Sequence, residues 1–253
     1  MDFTGKRVLI TGSSRGIGRA AAQVLLDAGA RVAINGRSAD STAQGIADLG
    51  GGPNLIAAPG DVGTVAGCHA AVAAAVKAMG GLDVLVNSAG IGDSRPLAEC
   101  DEAMWDATMN INLKGTFFCI QAARPHLQES GGNIVNVASD AGLIGEKGLS
   151  VYCASKAGVV NLTRALALEL APAIRVNCVC PGYVDTDMVR RDGIEQAADP
   201  KAAEQHLLDY TPLRRLAQPI EIGKAIAYFA SEDAIFITGA ALQIDGGTTA
   251  GHP

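Results

Sequence analysis

A tyrosine and a lysine stand four residues apart at the start of a segment whose apolar spacing predicts a helix. They are Tyr152 and Lys156, and this spacing places both side chains on one face of a helix. A free tyrosine, with a pKa near ~10, exchanges protons poorly at neutral pH, but a nearby ammonium group favours the phenolate and lowers that pKa. The pair therefore predicts an acid–base device, although such pairs also occur by chance on ordinary amphipathic helices.

A glycine-rich turn follows the first predicted strand and opens a helix, in the order Thr11-Gly12-Ser13-Ser14-Arg15-Gly16-Ile17-Gly18. Glycines permit a tight turn and let the backbone approach a pyrophosphate at the helix N-terminus, where free N–H groups favour an anion. The strand–turn–helix context favours dinucleotide binding over a purely steric role for the glycines. The predicted binding residues of this turn are Gly12, Ser14, Arg15, Gly16, Ile17 and Gly18.

The end of the second predicted strand indicates which dinucleotide binds. Sites that prefer NAD place an acidic residue there to hold the ribose 2′-hydroxyl, whereas this chain has Gly36 at that position, followed by Arg37. Arg15 adds a second guanidinium group, and arginine pairs well with phosphate oxygens. We therefore predict NADP(H) rather than NAD(H), the alternative being that both arginines are merely solvated at the surface.

Short apolar runs alternate with longer amphipathic segments along the chain. The predicted strands are 7–11, 31–35, 55–58, 82–87, 133–138, 175–180 and 241–245, and the predicted helices are 16–28, 39–49, 65–79, 101–127, 150–170 and 219–230. Regular alternation predicts a single α/β domain over residues 1–253, a Rossmann-like doubly wound parallel sheet of about seven strands with helices on both faces. Residues 184–218 lack clear periodicity and are predicted to form a substrate lid.

The turn just described resembles the fingerprint Thr-Gly-x-x-x-Gly-x-Gly of the short-chain dehydrogenase/reductase family. The resemblance continues through Asn87-Ser88-Ala89-Gly90, the Tyr-x-x-x-Lys pair and the closing Asp245-Gly246-Gly247, and covers essentially the whole chain. Ser88 departs from the family's Asn-Asn-Ala-Gly motif. The resemblance implies hydride transfer between a nicotinamide and a carbonyl or alcohol substrate.

The resemblance also implies roles for individual residues. Tyr152 would supply the proton, Lys156 would lower the tyrosine pKa and bind the nicotinamide ribose, and Ser139, thirteen positions before the tyrosine, would hold the substrate carbonyl. Asn112 resembles the helix asparagine that holds a water next to the lysine; Asn110 is the competing choice, and the following Leu-Lys-Gly favours Asn112. Further cofactor contacts implied by the resemblance are Asp61, Val62, Asn87, Ala89, Gly90, Pro181, Gly182, Val184 and Thr186.

Charge and composition limit the other partners. A formal net charge of −6 argues against nucleic acid or an anionic membrane as the main partner. No apolar stretch reaches the ~20 residues that a bilayer requires, and the N-terminus has no signal-peptide pattern. The cysteines form no CxxC pair and the histidines show no metal-ligand spacing, so we predict a cytoplasmic protein without a metal site.

The sequence therefore predicts an oxidoreductase for a small-molecule carbonyl or secondary alcohol. A 3-oxoacyl-[acyl-carrier-protein] reductase is the rival, but the turns 126–130 and 169–173 carry no Arg or Lys to meet an acidic carrier protein. A non-catalytic NADP(H)-sensing protein on the same fold is a third interpretation, and the presence of all four reacting residues argues against it. The resemblance, with apolar stretches on two long helices, predicts a homotetramer.

Overall fold

Short runs rich in Val, Ile and Leu form the strands of a single parallel sheet in the computed structural model, which describes residues 1–251. The strand order is β3-β2-β1-β4-β5-β6-β7. The strands are β1 (Arg7–Thr11), β2 (Arg31–Ile34), β3 (Leu55–Ala57), β4 (Val84–Asn87), β5 (Asn133–Val137), β6 (Arg175–Pro181) and β7 (Ala241–Ile244). The predicted Rossmann-like sheet is therefore confirmed, and each strand falls within its predicted range except that β6 extends to Pro181.

Helices cover both faces of this sheet. In chain order, the helices of the described residues are α1 (Gly16–Asp27), α2 (Ala39–Asp48), α3 (Val65–Met79), α4 (Glu102–Met109), α5 (Gly115–Ser130), α6 (Ser150–Leu170), α7 (Asp187–Arg190), α8 (Pro200–Tyr210) and α9 (Pro219–Ala230), and α7 and α8 lie outside the two apolar layers. The prediction of one regular helix over 101–127 was wrong in one respect, because a π-helical turn over Asn110–Lys114 separates α4 from α5. Such a turn widens the helix locally and redirects the side chains within it.

The segment 184–218, for which the sequence pattern predicts no regular element, contains α7 and α8. No residue of α8 is buried, so this helix lacks the apolar stripe by which a helix is recognised in a sequence. Its N-terminus is fixed locally instead, since the Asp199 carboxylate accepts the N–H groups of Lys201 and Ala202 and Pro200 occupies the first turn.

The buried strands alternate their side chains between two apolar layers. On one face Val8 and Ile10 of β1 pack in a cluster with Leu25 of α1 and Ile226 of α9. On the opposite face, Leu9 packs in a second cluster with residues of two further strands and three helices. These residues are Leu85 of β4, Ile134 of β5, Val72 of α3, Ile120 and Leu127 of α5, and Leu166 of α6. The sheet is thus covered by an apolar layer on each face.

The chain winds outward in opposite directions from the centre of the sheet. The strand β1 pairs with β2 on one side and with β4 on the other, both in parallel. The segments that follow β1 and β4 therefore diverge above the carboxyl ends of these strands. In open α/β sheets, this reversal point forms the crevice in which ligands bind.

A chain of buried amides connects the centre of the sheet to α6. The Asn87 amide Nδ2 donates to Asn136 Oδ1 at 2.9 Å, and Asn136 Nδ2 donates to the Thr163 hydroxyl at 2.9 Å. The Thr163 hydroxyl in turn donates to the carbonyl of Val159 at 2.8 Å. All three polar side chains are buried, so the network holds α6, which carries Tyr152 and Lys156, in a fixed position against β4 and β5.

Replacement of Asn136 by Ala is expected to lower the free energy of unfolding by about 2–4 kcal/mol, because it leaves the buried Asn87 amide without its acceptor. Urea unfolding followed by circular dichroism measures this change. The control is Asn161→Ala, an exposed position on α6, where a change within about 0.5 kcal/mol is expected. Equal effects of the two substitutions would contradict a stabilising role for the network.

Candidate active site

A cleft of about 580 Å³ lies at the carboxyl edge of the sheet, between the segments that follow β1 to β6. Most of the predicted site residues line it. They are Gly12, Ser14, Arg15, Gly16, Ile17, Gly18, Arg37, Asp61, Val62, Ala89, Gly90, Ser139, Tyr152, Lys156, Pro181, Gly182, Val184 and Thr186. The other two predicted residues, Asn87 and Asn112, are buried behind the cleft wall rather than part of it.

The glycine turn packs too closely for side chains. A Cβ on Gly12, whose φ is +62°, would lie 2.6 Å from the Ala89 Cα, and one on Gly18 would lie 2.6 Å from the Gly12 carbonyl oxygen. Among the described residues, no side chain caps the N-terminus of α1 at Arg15. The first N–H groups of α1 are therefore available for an anion, and the turn fits the pyrophosphate of a dinucleotide.

Asn35 supports this turn, and the sequence analysis did not identify it. Its Oδ1 accepts the Gly12 N–H at 3.1 Å, while its Nδ2 donates to the carbonyls of Ala58 at 2.8 Å and Gly60 at 3.1 Å. The side chain thereby ties the segments after β1, β2 and β3 together below the cleft. The available signal was a single amide residue immediately after the apolar run of β2.

The end of β2 has no room for an acidic side chain. A Cβ on Gly36 would lie 2.5 Å from the Ser41 Oγ and 2.8 Å from the Thr42 backbone nitrogen, both on α2. Arg37 is exposed at the cleft. Arg15 is 62% exposed and faces Asp187, with 3.5 Å between Nη1 and Oδ2. Two arginines thus line the cleft, and one of them has a carboxylate neighbour.

Ser139, Tyr152 and Lys156 come together on one wall of the cleft. Ser139 lies two residues after the end of β5, whereas the other two lie in the first two turns of α6. The ammonium of Lys156 donates to the carbonyl of Val137 at 2.9 Å, and its Nζ lies 5.6 Å from the centre of the Tyr152 ring. The three side chains can therefore act on the same bound group.

Burial controls the proton affinity of this pair. It raises the pKa of Tyr152 to about 12, an effect that the Ser139 hydroxyl opposes and the charges of Asp140 and Glu146 reinforce. Burial also lowers the pKa of Lys156 to about 8. In this structure burial thus outweighs any lowering of the tyrosine pKa by the ammonium, and Tyr152 is a protonated phenol at neutral pH, the form that donates a proton.

Asn112 lies in the π-helical turn and is 1% exposed. Its Oδ1 accepts the Ile91 N–H at 2.9 Å, and its Nδ2 donates to the Ile91 carbonyl at 2.9 Å and to the Ser155 hydroxyl at 3.0 Å. Asn110, the competing choice, accepts from the exposed Lys114 ammonium instead. Asn112 therefore joins the segment after β4 to α6, directly behind Gly90 and Lys156.

The chain resembles known proteins over nearly its whole length. A family model described as Enoyl-(Acyl carrier protein) reductase matches residues 12–249. The chain is 39% identical over 250 residues to the (2S)-[(R)-hydroxy(phenyl)methyl]succinyl-CoA dehydrogenase subunit BbsD of Thauera aromatica, with 98% of each protein covered. It is 37% identical over 246 residues to the 3-oxoacyl-[acyl-carrier-protein] reductase FabG of Staphylococcus aureus, covering 96% of this chain and 97% of that protein.

A solved structure, the short-chain dehydrogenase/reductase SDR:Glucose/ribitol dehydrogenase of Brucella melitensis, matches with a TM-score of 0.90 and 35% identity, covering 98% of this chain and 99% of that one. The chain belongs to the short-chain dehydrogenase/reductase family. The predicted family is thus confirmed, and with it an oxidoreductase that acts on an alcohol or carbonyl group with a nicotinamide cofactor. Among the described residues, no helix has the length and apolar character needed to cross a membrane.

Proposed function

We propose that this protein is an NADP(H)-dependent oxidoreductase that interconverts a small-molecule carbonyl compound and its secondary alcohol. The observation that carries the proposal is the convergence of Ser139, Tyr152 and Lys156 on a cleft that begins at the glycine turn. A protein that only sensed the cofactor would need the turn but not a tyrosine ring at the cleft beside a buried ammonium. The geometry therefore supports catalysis over the non-catalytic interpretation.

In the reductive direction, Ser139 and Tyr152 hold the substrate carbonyl oxygen through hydrogen bonds. The chemistry that a bound nicotinamide would supply is a hydride for the carbonyl carbon. Tyr152 then gives its phenolic proton to the oxygen, and the charge of Lys156 stabilises the phenolate that remains. Donors fixed before the reaction favour the developing alkoxide because no water needs to reorganise around it.

Other cleft residues would bind different parts of the dinucleotide. The N-terminus of α1 would hold the pyrophosphate, and Asp61 with Val62 would contact the adenine. Arg15 and Arg37 would bind the 2′-phosphate, since two guanidinium groups and no acid at Gly36 suit a dianion better than a hydroxyl.

The segment 184–218 would act as the substrate lid. Its Thr186, Met188 and Val189 line the cleft. The Tyr210 ring at the end of α8 meets the Tyr183 ring edge-on, with 6.2 Å between their centres. This contact connects the far end of the lid to the loop that leaves β6.

The cytoplasmic location remains a prediction from the sequence.

An acyl-carrier substrate is the second candidate, because the relative from Staphylococcus aureus bears that name. A carrier protein is acidic and needs a basic docking surface. The turns 126–130 and 169–173, at the ends of α5 and α6, supply no Arg or Lys. Exposed cations lie elsewhere on these helices, at Arg124 and Arg164, and in the loop before α6, at Lys147. Because the turns themselves carry none, a free small molecule is favoured over a carrier-bound one.

The test is a panel of carbonyl compounds assayed with NADPH and with NADH. Consumption of NADPH with free ketones, at rates above those with a 3-oxoacyl thioester of carrier protein, is the expected result. Faster turnover of the carrier-bound thioester would assign the second function. Binding of NADPH without turnover of any carbonyl would leave the non-catalytic interpretation.

We predict a homotetramer in solution. Large apolar side chains remain exposed on the single chain, among them Phe117 on α5, Leu168 on α6 and the fully exposed Phe236. Their burial between subunits would release ordered water from apolar surface. Light scattering at micromolar concentration should give four times the chain mass of 25.8 kDa. A mass equal to one chain would refute the prediction.

A further inference from the structure

An acidic residue, Asp140, follows the carbonyl-binding Ser139 and shares its hydrogen bonds. Asp140 is 7% exposed and begins a short helical turn over Asp140–Gly142. The Ser139 hydroxyl donates to Asp140 Oδ1 at 3.0 Å, and the Ala141 N–H donates to the same oxygen at 2.8 Å. The Pro181 carbonyl, at 3.4 Å, is the only other acceptor of the Ser139 hydroxyl among the described residues.

This arrangement creates competition for a single hydrogen atom. A serine hydroxyl has one hydrogen to donate and two lone pairs that accept. The Ser139 oxygen already lies within 3.2 Å of the Ala141 backbone nitrogen, which donates to it. A hydroxyl that donates to Asp140 therefore has no hydrogen left for the substrate carbonyl.

The surroundings of Asp140 are acidic. Burial raises its pKa to about 6; the donors on Ser139 and Ala141 oppose this rise, and the charges of Glu146 and Asp245 reinforce it. The other titratable groups around Asp140 are Tyr152 on α6, Cys180 on β6 and Tyr183 after β6. The ammonium of Lys156, which lines the same cleft as Ser139, donates to the Val137 carbonyl. Asp140 thus changes its charge close to neutral pH, next to a reacting group.

We propose that Asp140 is a positioning residue that determines where Ser139 donates its hydrogen: the carboxylate form retains it, and the neutral acid releases it to the substrate carbonyl. The proposal rests on the carbonyl-binding role that the proposed function gives to Ser139. A charged acceptor binds a hydroxyl about twice as strongly as a neutral one. Ionisation of Asp140 should therefore lower the efficiency of carbonyl reduction by about fivefold to tenfold.

The experiment measures kcat/KM for carbonyl reduction between pH 5 and 8, with NADPH saturating. The wild-type value is expected to fall about fivefold to tenfold as the pH rises through about 6. Asp140→Asn keeps the shape of the side chain and supplies a neutral acceptor. Its kcat/KM should stay near the low-pH wild-type level over this range, so that it exceeds the wild-type value at pH 8.

Two further variants separate positioning from a structural or purely electrostatic role. Ser139→Ala lacks the hydroxyl, so its residual activity should show no inflection near pH 6, and adding Asp140→Asn to it should change nothing further. Glu146→Gln removes a carboxylate that raises the Asp140 pKa and makes its hydrogen bond with Tyr183 rather than Ser139. It should retain the inflection but move it to lower pH.

Three results would overturn the proposal: an inflection that persists in Asp140→Asn, one that persists in Ser139→Ala, or a wild-type profile that is flat across pH 6. The Ser139→Ala profile decides the question even if Asp140→Asn does not fold. In all three of these results the wild-type enzyme reduces carbonyls. Failure of the proposed function is different, because no carbonyl would then be reduced by the wild type at any pH.

Discussion

Replacement of Tyr152 by Phe is expected to lower kcat by about two to four orders of magnitude, the usual contribution of a positioned general acid. The substitution removes one hydroxyl and keeps the ring, so the packing of α6 against the sheet is preserved. Burial raises the pKa of Tyr152 to about 12, so the wild-type phenol is protonated at every pH near neutrality. The variant lacks this proton donor. Steady-state rates of carbonyl reduction measure the loss.

Cofactor binding should survive this change. Titration of the variant with NADPH, followed by cofactor fluorescence, is expected to give a dissociation constant within a few-fold of the wild-type value. Tyr228→Phe provides the matched control, because Tyr228 is 38% exposed on α9 and does not line the cleft. Near wild-type turnover in Tyr152→Phe would show that another group supplies the proton.

The wild-type protein is expected to bind NADPH between tenfold and several-hundred-fold more tightly than NADH. A charge-assisted hydrogen bond contributes about 1.5–3 kcal/mol, and Arg15 and Arg37 can each make one to the 2′-phosphate. Solvent reduces both contributions, since Arg15 is 62% exposed and Arg37 is also exposed. Titration with both cofactors at one fixed ionic strength measures the ratio of the two dissociation constants.

Arg37→Asp should reverse this preference. The substitution removes a phosphate partner and introduces a carboxylate, which repels the phosphate and can accept a hydrogen bond from the NADH ribose. Arg124→Asp makes the same change of charge at an exposed position of α5 outside the cleft, and it should leave the preference for NADPH intact. Equal affinities for the two cofactors in the wild type would refute the assignment of both arginines.

Gly36, the residue before Arg37, has no space for an acidic side chain. Gly36→Asp would restore the residue type of NAD-binding sites, but its Cβ would collide with Ser41 and Thr42 at the start of α2. Such a variant would displace α2. A change in its cofactor affinity could then result either from the new carboxylate or from the displaced backbone. Arg37→Asp avoids this difficulty because residue 37 is exposed.

The sequence could predict those parts of the site that depend on local backbone spacing. Gly12 and Gly18 specify a turn in which a side chain at either position would clash. Ser139 lies close after a parallel strand, and such strand ends lie at the carboxyl edge of the sheet. Tyr152 and Lys156 follow from helical periodicity. Each of these inferences needs only one element and its immediate neighbours.

Other features depend on contacts between segments far apart in the chain. The partners of Asn35 lie 23 and 25 residues away, and those of Asn112 lie 21 and 43 residues away. None of these separations follows from the period of a helix or of a strand. The π-helical turn between α4 and α5 was missed for the same reason, since the contact that its Asn112 makes with Ile91 is absent from the local pattern. The burial of Asp140 likewise follows from the packing of β6 and α6 against its turn.

The lack of buried residues in α8 has a consequence for how this protein can change over evolutionary time. Most substitutions that remove a protein from a population do so by lowering its stability, and surface positions cost little in this respect. Because no side chain of α8 is part of either apolar layer, mutations there leave the sheet and its reacting residues largely undisturbed. Substitutions can therefore accumulate on this helix, which ends at the ring contact between Tyr210 and Tyr183, without rebuilding the catalytic centre.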